Sequence, residues 1–76
     1  MSAILVDTGP LVALLDRSDP FHRSCSKAFQ DMTDDLVTVW PVLTEAMYFL
    51  KSSWDAQSAL WGLVRTGPVE ILPLMD

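Results

Sequence analysis

The sequence predicts an α/β domain built on a parallel sheet. Short, continuous apolar runs suited to covered strands alternate with longer stretches of helical periodicity, and turn or capping residues stand at most of the junctions. The runs AILV at 3–6, LVTVW at 36–40 and VEIL at 69–72 are the strands. Strands joined through helical crossovers pair in parallel, in a three-layer sandwich with helices on both faces of the sheet. Three strands and about four helices make an incomplete version of that architecture. Domains average ~100–150 residues, and this chain has 76.

Residues 3–6 are apolar without alternation, as suits a strand covered on both sides. Gly9-Pro10 predicts a turn, after which LVALL at 11–15 suits a short buried helix ending near the polar Asp16-Arg17-Ser18. Asp19-Pro20 predicts the next helix start, with aspartate as cap and proline in the first turn. Phe21, Cys25, Ala28, Phe29 and Met32 then recur on one stripe, and Thr33-Asp34-Asp35 ends it. Pro41 opens a third helix after the second strand, with Val42, Leu43, Ala46, Met47, Phe49 and Leu50 on it. Ser52 or Ser53 caps a fourth, whose Ala56, Ala59, Leu60, Leu63 and Val64 face inward until Gly67-Pro68 stops it.

Composition narrows the functional classes. Half of the residues are hydrophobic, enough for a core, although a chain this short buries only about 60% of its unfolded surface. The net charge of −5 argues against a broad basic face for RNA or DNA. It leaves room for a nuclease whose acidic site meets phosphate through metal ions. The single cysteine, Cys25, rules out an intrachain disulfide and a cysteine zinc site. It falls on an apolar stripe, so a small core residue is its expected role. With no basic leader and no run of ~20 apolar residues, the chain reads as cytoplasmic, with no membrane partner.

Ligands of open α/β sheets bind beyond the carboxyl ends of the strands. Asp7 stands there after the first strand. Glu45 lies in the helix that follows the second strand and is the only charge from 42 to 50. The two acids come from separate strand–helix units, converge on one edge of the sheet, and are each expected in an apolar surround. Such a pair suits a cation, and oxygen ligands favour magnesium or manganese. The plainer reading makes Asp7 a buried cap for the turn at Thr8-Gly9 or for the following helix, and Glu45 a favourable charge near a helix N-terminus. Thr8 is a capping hydroxyl or a residue that orients Asp7 from behind. The other acids read as solvated ends and faces, His22 as a surface or capping residue, and Trp40, Tyr48, Trp54 and Trp61 as core or subunit contacts.

Asp7-Thr8-Gly9 also resembles the active-site tripeptide of retroviral-type aspartic proteases. Those are all-β, and Pro10 stands where their pattern has Ala or Ser, so the helical context argues against that reading. A second resemblance covers the whole chain. ILVDTGPLVALLDRSDPFH, VTVWPVLTEAMYFL and ALWGLV…GPVEILPL resemble the N-terminal part of a PIN domain, the metal-dependent nuclease fold of VapC-type toxins. The resemblance implies that Asp7 and Glu45 match the first two metal-site carboxylates, with magnesium or manganese as cofactor. It implies RNA as substrate, a cognate antitoxin as partner, and homodimers. It also implies five parallel strands with the first in the middle, so residues 1–76 would leave that strand a bare edge. The remaining acids of the family come from a later segment, and Asp76 does not match it in position. Residues 1–76 are therefore expected to show little or no nuclease activity alone. The alternative is a non-catalytic half-domain that binds an antitoxin or itself.

Overall fold

In a computed structural model the described residues, 3–73, form an α/β fold of three parallel strands and four helices. The order is β1 (Ala3–Leu5), α1 (Thr8–Leu15), α2 (His22–Asp31), β2 (Asp35–Val39), α3 (Trp40–Phe49), α4 (Trp54–Arg65) and β3 (Val69–Leu72). Residues 1–2 and 74–76, with Asp76 among them, lie outside the described residues. The spatial order is β1-β2-β3. Ile4 lies opposite Leu36, and Leu36 in turn opposite Val69. Thus β1 has no strand on its outer side among the described residues.

Register sorts the strand residues onto two faces. Ile4, Val6, Leu36, Thr38, Val69 and Ile71 share one face and are buried or half-buried. The core lies above it: Val6, Leu11, Leu43, Ala46, Leu50, Ala56 and Leu60, with Leu36 and Ile71 packed against them. On the other face Val37 is buried, whereas Leu5 and Leu72 are 60% and 37% exposed. The face that carries the core is thus the better covered of the two.

Several boundaries differ from the sequence expectation, each for a local reason. α1 begins at Thr8, so Gly9-Pro10 belongs to its first turn. Proline is tolerated there because the first-turn N–H groups lack partners in any case. This also removes the protease reading, since Asp7-Thr8-Gly9 opens a helix in an α/β fold. α2 begins at His22, three residues after Asp19. Asp19 instead holds a turn, its Oδ1 accepting from the Phe21 N–H at 2.8 Å. The α2 stripe is shallow: Phe29 packs against the core, Cys25 is half-buried, and Phe21 and Met32 are exposed. Cys25 is therefore not a core residue. Trp40 opens α3 rather than closing β2, with Pro41 behind it.

Other signals hold. Ser53 caps α4, accepting from the Ala56 N–H at 3.1 Å. Gly67 follows α4 with φ 101°, a conformation that only glycine adopts without strain. His22 acts as a cap in an unforeseen direction. Its Nδ1 donates to the Ala13 carbonyl at 2.8 Å, satisfying one of the last carbonyls of α1 and tying α2 to it. Among the described residues no helix is long and apolar enough to cross a membrane.

Candidate functional site

The site is built where β1 and β2 run out. Thr38 of β2 is completely buried, and its hydroxyl donates to the Val6 carbonyl at 3.0 Å. Val6 N–H donates to the Val37 carbonyl at 2.7 Å. These bonds pin the chain directly before Asp7. Asp7 then turns out of the strand with extended backbone (φ −88°, ψ 176°) and caps α1, its Oδ1 accepting from the Thr8 N–H at 2.8 Å.

Glu45 reaches the same place from α3. Its Oε1 accepts from the Thr8 hydroxyl at 2.6 Å, a short bond as suits a charged acceptor. Thr8 thus holds both acids, Asp7 through its backbone N–H and Glu45 through its hydroxyl, and it is itself buried. The sequence placed the hydroxyl behind Asp7; it goes to Glu45 instead. Both carboxylates are exposed rather than enclosed by apolar groups. A capping aspartate at the rim of a helix N-terminus points toward water, so neither acid bears the penalty of a buried charge.

Asp7, Thr8, Gly9, Val12, Asp19, Glu45 and Phe49 line one open cleft of about 500 Å³. Thr8 and Val12 are one helical turn apart on α1, and Glu45 and Phe49 one turn apart on α3. The cleft therefore has a polar end, with Asp7 and Glu45, and an apolar end, with Val12 and Phe49. Helical spacing, four residues on from Glu45, already puts Phe49 beside that acid, whereas Asp19 was missed as a lining residue. Nothing in the sequence brings Asp19 there, because its place depends on the 16–21 loop.

The donor set is all oxygen and negatively charged, which suits a hard, hydrated cation such as magnesium or manganese. It comprises two converging carboxylates. No group of three or more His, Cys, Asp or Glu able to hold a metal ion occurs among the described residues. A second cleft of about 480 Å³ lies between the 16–18 turn and the start of α4. There two bonds from Ser18, from its hydroxyl and then its N–H, hold the Asp16 carboxyl below its ordinary value of 3.8. Asp16 is a turn-former, and that cleft holds no pair of acids bridged by a third side chain.

No protein-family model matches the chain. No curated protein matches it either.

Proposed function

We propose that the chain is the N-terminal part of a magnesium- or manganese-dependent PIN-domain endoribonuclease, the toxin of a toxin–antitoxin pair. What supports this reading most is the bridge Asp7–Thr8–Glu45. Two carboxylates from separate strand–helix units meet at the carboxyl edge of a parallel sheet, each fixed by a hydrogen bond from one buried threonine. Structure alone does not require such a pair, because Asp7 caps its helix without Glu45. Asp7 and Glu45 would hold the metal, which when bound supplies a Lewis acid and an activated water for phosphodiester hydrolysis. The chain's own contribution is to hold both carboxylates on one rim, with Thr8 setting their orientation from behind.

Two ligands place a water less well than a fuller set does, so residues 1–76 alone are expected to bind metal weakly and to cleave little. Although three acids line the cleft, no group of three able to hold a metal ion occurs among the described residues, and one further reading is a non-catalytic half-domain that binds a partner such as an antitoxin. Manganese titration followed by water-proton relaxation separates the two. The nuclease reading expects binding that falls at least about tenfold in Asp7→Asn, in Glu45→Gln and in Thr8→Val. Equal, non-specific binding by all four proteins would leave the half-domain. Robust manganese-dependent cleavage of single-stranded RNA, lost in Asp7→Ala, would overturn the expected inactivity of 1–76.

A further inference from the structure

Phe49 shares the cleft of Asp7 and Glu45, yet it is 57% exposed at the end of a strongly apolar helix whose Leu43, Ala46 and Leu50 are buried. A phenylalanine has no polar group to justify exposure. Its neighbour Tyr48 is 61% exposed and meets it edge-on, with ring centroids 5.7 Å apart and planes at 73°. The Lys51 ammonium lies 4.2 Å from the centre of the Tyr48 ring. Tyr48 is thus flanked by an aromatic and by a cation, whereas Phe49 borders the cleft.

We propose that Phe49 is a stacking platform for an unpaired nucleobase of a single-stranded RNA whose phosphate lies at the Asp7–Glu45 end. This rests on the nuclease reading and adds the base contact. The cleft's two ends match the two ends of a nucleotide. A phosphate bound through a cation at the carboxylates carries its base one sugar away, and the apolar end lies one helical turn from the carboxylates. Glu45 and Phe49 stand at i and i+4 on one face of α3, so the spacing is set by a rigid helix rather than by a loop. Every base has a π-face, so such a platform accepts single strands with little sequence preference. A base paired inside a duplex has no free face to offer it. Opposite, on α1, Gly9 leaves open space where a side chain would stand, so a backbone can pass close to the helix. A protein partner is the less favoured occupant. Asp7, Asp19 and Glu45 line the same cleft, and the interior of a protein interface is depleted of charged groups.

The test titrates the 76-residue protein, in magnesium, into a short unstructured oligoribonucleotide that carries one 2-aminopurine, whose fluorescence falls on stacking. The wild type is expected to quench it saturably. Phe49→Ala is expected to weaken binding by roughly 5- to 150-fold and to abolish the quench, and Phe49→Trp to stay within about threefold of the wild type. Asp7→Asn should weaken binding while leaving at saturation the quench that stacking produces. Wild-type affinity and quench in Phe49→Ala would overturn the platform, and a loss confined to Asp7→Asn would leave the metal site standing without it. Absence of quenching by the wild type, or equal quenching of a duplex, would also overturn it, and the RNA-free manganese titration would then judge the carboxylate pair by itself. A change in solution mass in Phe49→Ala without RNA would assign Phe49 to a protein contact instead.

Discussion

Two threonines at the carboxyl edge of the sheet show how single hydroxyls build a site. Thr8 bridges the acids, and Thr38 fixes the end of the strand that leads into Asp7. Thr38 has no exposed surface, and Val37 beside it is buried. Thr38→Val keeps the shape but strips the Val6 carbonyl of that donor in a dry surround. An unpaired buried acceptor costs about 1–3 kcal/mol, so we expect that loss of unfolding free energy in urea with an unchanged m-value. Because the bond lies one residue from Asp7, the proposed manganese binding is expected to weaken in the same variant. A stability loss below about 0.5 kcal/mol would mean that water reaches the Val6 carbonyl.

At the scale of elements, the helix ends divide cleanly into those legible in sequence and those not. Ser53 and Gly67 were legible because each acts within its own turn: a hydroxyl three residues before the N–H it accepts from, and a residue whose φ must be positive. No heavy atom lies within 4 Å of where a Gly67 side chain would stand. Gly67→Ala should therefore cost only the backbone term, about 1–2 kcal/mol, and thermal unfolding of the two proteins compares it. A larger loss would mean that β3 shifts as well. The starts of α1 and α2 were misread because the signals there were ambiguous. Pro10 suits both a turn and a first helical turn, and Asp19 makes a local turn that delays α2 to His22. The same limit held for the site. Asp7 and Glu45 were legible because a strand end and a helical period place them. That they are exposed and joined through Thr8 was not, because the bond spans 37 residues of sequence. Asp19 was also missed, since the loop carrying it is tied down by His22 and Ala13 across α1 and α2.

For the whole molecule, strand order and charge pull in opposite directions. β1 presents an outer edge unpaired among the described residues, and next to it Leu5 is 60% exposed. An apolar edge of this kind templates pairing with another chain. The net charge of −5 opposes such pairing through repulsion between copies. Repulsion between exposed charges is screened over ~8 Å at physiological ionic strength, and more strongly at higher salt. Sedimentation at rising protein concentration should therefore show association that strengthens with sodium chloride. Leu5→Lys places a charge on the edge strand and should return the protein to monomer, while its unfolding free energy stays within about 0.5 kcal/mol because the position is already exposed. Association that weakens with salt would point to ion pairs between copies. Association that persists in Leu5→Lys would move the contact away from β1, and the exposed Trp40, which packs at 6.4 Å against Trp61, is then the next surface to change.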